Sequence, residues 1–289
     1  MTEVVVPAPA PVRTIDRERL RALAFLAPAL LFLLVAFVTP LVLLLGVSVA
    51  GPQGLSLDAY AKLLGTDYYL RVIWNSLRLA LLTTIFALAI GYPAAFALAR
   101  ARGLLRSVLL SSLFLPLAAS VIVKAFAWTI LLRSDGIVNR ILLGTGLIDA
   151  PIRMIFTETA LIVGSVNIFL PFMILPIYAV VTQLDPRLSE AAATLGAPPV
   201  AAFLRVTAPL TLPGVIAGVA LVFSLSVSAY VVPTLLIGER YPTLASTIAK
   251  AYLLAREPVF GAAAGVVLLT IALTVVTLSG RLAGREAGR

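Results

Sequence analysis

Residues 190–210 read EAAATLGAPPVAAFLRVTAPL and stand between two long apolar runs of the chain. The stretch contains one carboxylate (Glu190), one guanidinium (Arg205), a glycine, two adjacent prolines and a cluster of alanines. A helix needs about 20 consecutive apolar residues to cross a bilayer, and this stretch does not supply them. It therefore predicts a bent element at the membrane surface.

Local signals predict that this element consists of two short helices. Asp185 is an acceptor at the N-cap, and Pro186 follows at the first helical position, where a missing N–H costs nothing. Gly196 suits a left-handed helix end. The prolines at 198–199 permit a second helix in a new direction, which Pro209 is expected to end. One apolar stripe recurs at helical spacing on the first helix: Leu188, Ala191, Ala192 and Leu195.

The rest of the chain has the composition of a membrane protein. Of its 289 residues, 61% are hydrophobic and 12% are charged, and the mean hydropathy is +1.08. A soluble domain has about a quarter of its residues charged, so lipid is the predicted solvent. The net charge is +9, and the positive residues lie in short clusters between the apolar runs. This distribution is typical of membrane topology signals and argues against a nucleic-acid-binding face.

The residue types exclude several kinds of chemistry. The chain has no cysteine and no histidine, which excludes thiol and imidazole catalysis and His/Cys metal sites. No glycine is followed by lysine, so a phosphate-binding loop of the GxxxxGK[ST] type is absent from the sequence. We expect no catalytic residue, no metal and no cofactor bound by this chain.

The apolar runs predict an all-α integral membrane protein with six transmembrane helices. The spans are expected near residues 24–48, 78–99, 107–131, 159–182, 212–236 and 260–280. Twelve lysines and arginines flank the spans on the side of the two termini, against eight on the other side. The positive-inside rule therefore predicts that both termini and the 190–210 stretch are cytoplasmic. The predicted organisation is a tail over 1–21, a membrane domain over 22–280 and a tail over 281–289.

On physical grounds alone, the 190–210 stretch has two interpretations. Its small alanines allow another backbone to come close, which suits docking into a groove on a soluble partner. The alternative is an ordinary connector shaped by the lipid headgroups.

A family resemblance distinguishes between these two interpretations. Glu190-Ala191-Ala192, then Gly196, then 206–209 (VTAP) have the spacing of the EAA loop of binding-protein-dependent ABC importer permeases, with Ala208 where the family has leucine. Three longer segments resemble the spermidine/putrescine-type permeases of the PotB-like branch: 133–149 (RSDGIVNRILLGTGLID), 167–178 (NIFLPFMILPIY) and 188–214.

The resemblance implies the type I ABC importer permease (MetI-like) architecture and a transport function without enzyme activity. In that family the loop, here 186–209, is a coupling helix that sits in a groove of a separate ATPase subunit. The implied coupling residues are Glu190, Ala191, Ala192, Gly196, Phe203, Arg205 and Pro209. The implied partners in a bacterial inner membrane are a second permease, an ATPase dimer that uses ATP and magnesium, and an extracytoplasmic solute-binding protein. The cargo is expected to be a polyamine or another small organic solute.

Polar residues inside the predicted spans are candidates for a translocation path. Lys124 shares a helix face with Trp128 and is a candidate contact for an anionic group of the cargo or of the binding protein. The alternative is that Lys124 extends to the outer headgroups, as is expected for Arg78. Asn167 precedes Pro171, which can free backbone carbonyls. The other candidates are Ser224, Ser228 and Tyr230, and hydrogen bonds between helices are the alternative use of such residues.

Two other classes of protein remain as alternatives. An ion-driven secondary transporter usually needs carboxylates within the membrane, and no aspartate or glutamate falls inside a predicted span. The same lack of acidic residues in the predicted spans argues against a polycationic cargo bound by this chain alone. An integral membrane enzyme would have few groups for acid–base chemistry.

Overall fold

The computed structural model describes residues 17–51, 54–185 and 187–287, and most of them are helical. The α-helices are α1 (Arg17–Ser48), α2 (Asp58–Gly65), α3 (Asp67–Arg100), α4 (Gly103–Ala118), α5 (Val121–Leu131), α6 (Ile137–Gly144), α7 (Glu158–Val181), α8 (Arg187–Thr194), α9 (Pro199–Ala202), α10 (Ala208–Val227), α11 (Val231–Leu236), α12 (Leu244–Lys250) and α13 (Pro258–Ala287). Strands β1 (Ala50–Gly51) and β2 (Gly54–Leu55) pair antiparallel, with Ala50 opposite Leu55. Phe203–Thr207 and Ala251–Ala255 are π-helical turns, and Gly238–Arg240 is a 3-10 turn.

The predicted count of six spans is reached when α4 and α5 are taken together. Five helical segments are long and apolar enough to cross a membrane: Phe25–Ser48, Asp67–Arg100, Glu158–Val181, Pro199–Val227 and Pro258–Arg281. The sixth is the pair α4 and α5, whose axes differ by 104°. The prediction of a continuous third span over 107–131 is therefore wrong.

The bend in the third span has local causes. Pro116 lies in the last turn of α4 and removes one backbone donor. Ser120 then starts a new helix, because its hydroxyl accepts a hydrogen bond from the backbone N–H of Ile122 (3.3 Å). The average hydropathy of residues 107–131 is that of a continuous span, so it does not reveal either signal.

Several other predicted boundaries also shift. Helix α1 begins at Arg17, inside the predicted tail over 1–21, because arginine, leucine and alanine are good helix formers; residues 1–16 lie outside the described part of the chain. Helix α3 begins at Asp67, well before residue 78. The predicted fifth span over 212–236 is divided, since α10 ends at Val227 and α11 is a separate helix. Helix α13 continues to Ala287, within the predicted tail over 281–289.

The core lies where α3, α7 and α10 pack together, and glycines allow their close approach. A Cβ at Gly214 of α10 would lie 2.9 Å from the backbone oxygen of Pro176 in α7. A Cβ at Gly91 of α3 would lie 2.9 Å from the side chain of Met173. Small residues at helix contacts are the usual way in which membrane helices pack closely. Among the described residues, α1 packs mainly against α13 and leaves its remaining apolar surface uncovered.

Candidate functional site

The segment over residues 187–207, called the elbow below, joins the fourth span to the fifth. At its start Asp185 accepts a hydrogen bond from the backbone N–H of Arg187 (2.9 Å), as the predicted N-cap requires; Pro186 itself lies outside the described residues. At the end of α8, Gly196 has a φ of +81°. The N–H groups of Gly196 and Ala197 bond to the carbonyls of Ala193 and Ala192. These two bonds form a Schellman motif, and the predicted left-handed cap is confirmed.

The second arm of the elbow differs from its prediction. The helix that starts at Pro199 does not end at Pro209 but continues through the π-helical turn into α10. In that turn the N–H of Ala208 bonds to the carbonyl of Phe203, five residues back. This wider turn gives the ring of Pro209 room that a regular α-helix would deny it. The elbow therefore contains one separate short helix, and its second arm is the beginning of the fifth span.

The outer surface of the elbow is apolar and is not covered by the rest of the described chain. Leu195 is 88% exposed, and Val200 and Leu204 are also exposed. Glu190, Ala191 and Arg205 are exposed on the same element, and Ala192 is partly covered. Removing leucine and valine side chains from water lowers the free energy. A surface of this kind therefore favours a bound partner.

An aromatic cluster of Tyr92, Phe96 and Phe203, called the aromatic anchor below, ties the elbow to α3. The ring centroid of Phe203 lies 5.9 Å from that of Phe96 and 6.2 Å from that of Tyr92, both edge to face. The hydroxyl of Tyr92 lies 2.8 Å from that of Thr211 in α10. Sequence reasoning placed Phe203 in the coupling element but missed its two partners. Their spacing at i, i+4 in the second span is the signal that could have found them.

The structure brings two of the predicted path residues together. The indole N–H of Trp128 in α5 donates to the side-chain oxygen of Asn167 in α7 (3.2 Å). Both line a cavity of about 540 Å³ between α3, α5 and α7. The rest of its lining is mostly apolar and consists of Phe86, Ile90, Thr159, Ile162, Val163, Val166 and Leu170.

The other predicted path residues do not line this cavity. Lys124 lies on α5 one turn before Trp128 and is partly buried. The hydroxyl of Ser228 donates to the backbone carbonyl of Ser224 (2.8 Å), so this pair bonds within its own helix. The hydroxyl of Ser224 is buried and has no hydrogen-bond partner within the described part of the chain. Tyr230 is 41% exposed at the start of α11.

A polar cluster at the other end of the bundle was not foreseen. The guanidinium of Arg78 in α3 lies 3.2 Å from the carboxylate of Glu158 in α7, a pairing that the sequence did not predict. The expected extension of Arg78 to the lipid headgroups stays a prediction. The hydroxyl of Tyr241 donates to the backbone carbonyl of Asn75 (3.2 Å) and lies 3.5 Å from Glu158. Burial, and secondarily the charge of Glu158, raise the pKa of Tyr241 to about 12.

These features define the class of the protein. A bundle of apolar helices of spanning length, with a surface elbow between the fourth and fifth spans, is the architecture of a membrane permease subunit. The chain belongs to the family of binding-protein-dependent transport system inner membrane components, whose profile matches residues 90–285.

Curated relatives and solved structures agree with this assignment. The chain is 36% identical to the spermidine/putrescine transport system permease protein PotB of Haemophilus influenzae, over 80% of this chain and 82% of that protein. It is 38% identical to PotB of Escherichia coli, over 75% of this chain and 78% of that protein.

The fold is also that of a bacterial ABC transporter involved in the import of the acidic polysaccharide alginate. The TM-score is 0.76 at 22% identity, covering 94% of this chain and 97% of that one. A second structure of a bacterial alginate ABC transporter, solved in complex with an alginate-pentasaccharide-bound periplasmic protein, matches with a TM-score of 0.75 at 23% identity, covering 94% of this chain and 96% of that one.

Proposed function

We propose that this permease forms one half of the translocation path of an ABC importer and that its elbow couples the path to a separate ATPase subunit. The observation that carries the proposal is the elbow itself. Its exposed side is apolar, and its inner side is tied to the bundle by the aromatic anchor. A surface that both binds a partner and is firmly attached to the spans can transmit motion.

The proposed mechanism is alternating access. The helical segment from Pro199 to Val227 has 29 residues and is about 43 Å long at 1.5 Å per residue. It reaches from the elbow through the fifth span without a break. When ATP draws two ATPase subunits together, a shift of the elbow would tilt α10 directly and would tilt α3 through the aromatic anchor. The side to which the central path opens would then change.

The proposed assembly contains a second permease, an ATPase dimer and an extracytoplasmic solute-binding protein. The uncovered surface of α1 and the open side of the 540 Å³ cavity support the need for a second permease. A periplasmic protein is present in the alginate transporter complex, which supports the binding-protein partner. ATP and magnesium would be used by the ATPase subunits, and both termini of this chain would face the cytoplasm from the inner membrane.

The proposed cargo is a polyamine or a related small organic solute. The PotB relatives are permeases for spermidine and putrescine by name, which supports this class. The cavity offers aromatic faces at Trp128 and Phe86, which suit both methylene chains and ammonium groups. Its lining has no carboxylate among the described residues, but Glu158 immediately precedes the lining residue Thr159. Carboxylates from a second permease or the binding protein would complete the recognition of a polycation.

A charge reversal at Glu190 tests the coupling role. Glu190→Arg places a cation on the exposed side of α8. We expect it to reduce spermidine uptake into proteoliposomes at least about tenfold, because a reversed charge at an interface costs several kcal/mol. The complex would be reconstituted with its co-encoded subunits, and uptake, ATP hydrolysis and co-purification of the ATPase would be measured. Asp149→Arg makes the same charge change at an exposed position far from the elbow and should leave ATPase co-purification unchanged. Wild-type uptake and wild-type ATPase association in Glu190→Arg would refute the coupling role.

A further inference from the structure

A second cavity, of about 700 Å³, lies beneath the elbow. It is lined by the ends of α3, α4, α7 and α10, at the same end of the bundle as the elbow, and it is open on one side. Its wall carries three arginines, Arg100, Arg102 and Arg106, and a single carboxylate, that of Asp185. The cavity is therefore strongly positive.

The charges of these arginines are not neutralised within the described chain. Arg106 donates to the hydroxyl of Tyr178 (2.8 Å), and the guanidinium of Arg100 lies 6.0 Å from the ring centroid of Phe96. Neither partner is an anion, and the salt bridges found in the described residues involve other cations. The carboxylate of Asp185, which caps α8 through one oxygen, supplies one negative charge against these three positive ones. Three guanidinium groups facing one cavity repel each other, and a bound anion would remove that repulsion.

The surroundings of the cavity indicate what kind of anion it holds. Guanidinium groups bind phosphate oxygens through paired N–H donors. The cavity lies at the ends of the spans, which is the depth of the lipid headgroups. Between Arg102 and Arg106, helix α4 exposes Leu104 and Leu105, and Val108 is exposed on the next turn. A ligand with both a phosphate and an apolar tail fits both features.

We propose that this cavity binds the headgroup of an anionic phospholipid, with its phosphate held by Arg100, Arg102 and Arg106 and its acyl chains along α4. Basic pockets between membrane helices are a known form of anionic lipid recognition. Leu188 and Val206 of the elbow also line the cavity, so a bound lipid would contact both the elbow and the bundle. The lipid would thereby hold the elbow in position. This inference requires neither cargo nor ATP, so it can fail while the transport function stands.

The test is lipid retention by the purified full-length chain in detergent, where both ends of the bundle are equally accessible. Native mass spectrometry would follow titrations with dioleoylphosphatidylglycerol, with dioleoylphosphatidylcholine and with inorganic phosphate. We expect one tightly retained phosphatidylglycerol and weaker retention of phosphatidylcholine. The triple variant Arg100→Gln, Arg102→Gln, Arg106→Gln should retain phosphatidylglycerol about 100-fold more weakly, since each basic side chain near an anionic lipid contributes about fivefold.

The matched control is Arg140→Gln, Arg153→Gln, Arg240→Gln, which removes the same charge from α6, from the segment before α7 and from the 3-10 turn, at the other end of the bundle. It should retain phosphatidylglycerol as the wild type does. If the first triple variant does not fold, the single variant Arg102→Gln serves instead, because Arg102 makes no side-chain hydrogen bond to another described residue. We expect it to weaken retention about fivefold.

Four results would overturn the proposal. The first is equal retention by the arginine variant and the wild type, and the second is an equal loss in the matched control. The third is binding of inorganic phosphate in preference to lipid, which would assign the cavity to a soluble anion. The fourth is displacement of the lipid by the co-encoded ATPase subunit, which would assign the arginines to the protein interface.

Discussion

At the scale of single residues, Tyr241 joins two helices that are far from it in the sequence. Its hydroxyl reaches the backbone of Asn75 in α3 and the carboxylate of Glu158 in α7, while the side-chain amide of Asn75 donates to the carbonyl of Pro242 (3.2 Å). Glu158 in turn pairs with Arg78. These contacts hold the third and fourth turns of α3 and the first turn of α7 against the loop before α12. Glu158 is also the one acidic group of this cluster, and it stands beside the cavity proposed for cargo.

Removing the hydroxyl of Tyr241 tests the cluster. Tyr241→Phe should lower the free energy of unfolding by about 1 kcal/mol at pH 8, the usual contribution of one hydrogen bond. Thermal unfolding in detergent would measure the change. Because the pKa of Tyr241 is raised to about 12 in the folded chain, its contribution is fully present below the ordinary tyrosine pKa near 10. That contribution is lost as the pH rises through about 12.

The pH dependence supplies the control for that variant. The wild type should lose stability between pH 10 and pH 12 more steeply than Tyr241→Phe, which has no phenol to ionise. Parallel curves for the two proteins over that window would contradict the assignment of this titration to Tyr241.

At the scale of elements, the most consequential feature is the continuity of the elbow with the fifth span. The π-helical turn over Phe203–Thr207 lets the helix pass Pro209 without ending. The same turn presents Phe203 to Tyr92 and Phe96 of α3. The elbow is thus attached to two spans, to one by its backbone and to the other by aromatic contacts.

Truncating Phe203 separates these two attachments. Phe203→Ala removes two edge-to-face pairs, each contributing about 1 kcal/mol, while the backbone path to α10 remains. We expect the ATPase subunit to co-purify normally, ATP hydrolysis to continue, and cargo uptake per ATP hydrolysed to fall several-fold. Phe203→Leu keeps most of the apolar volume, so its cargo uptake per ATP hydrolysed should lie between that of the wild type and that of Phe203→Ala. Unchanged uptake per ATP in Phe203→Ala would show that the aromatic anchor does not transmit the movement.

Sequence alone predicts those elements whose causes are local. The apolar runs identify the spans, and the N-cap at Asp185 and the left-handed cap at Gly196 follow from neighbouring residues. The contacts of Tyr92 with Phe203 and of Trp128 with Asn167 depend on how distant segments pack, so the sequence shows the residues without their partners. The bend between α4 and α5 was missed for a different reason. Its local signals lie within a run whose mean apolarity is that of a continuous span.

At the scale of the whole molecule, the chain has the surfaces of a component of a larger assembly. Helix α1 is covered mainly by α13, and the cavity that contains Trp128 and Asn167 is open on one side. The elbow leaves Leu195 almost fully exposed. Each of these surfaces corresponds to one proposed partner or ligand: a second permease, the cargo and the ATPase.

The absence of cysteine from the sequence makes the central claim directly measurable. Leu195→Cys introduces a single thiol at the exposed tip of the elbow, and Leu147→Cys introduces one at a comparably exposed position between α6 and α7. In sealed right-side-out vesicles, a membrane-impermeant maleimide should label Leu147→Cys and not Leu195→Cys, and inverted vesicles should show the reverse. In the reconstituted complex, a short bifunctional reagent should cross-link Leu195→Cys to the ATPase subunit, with the yield changing when ATP is added. Labelling of Leu195→Cys from outside the cell, or no cross-link to the ATPase in a complex that transports, would contradict the account.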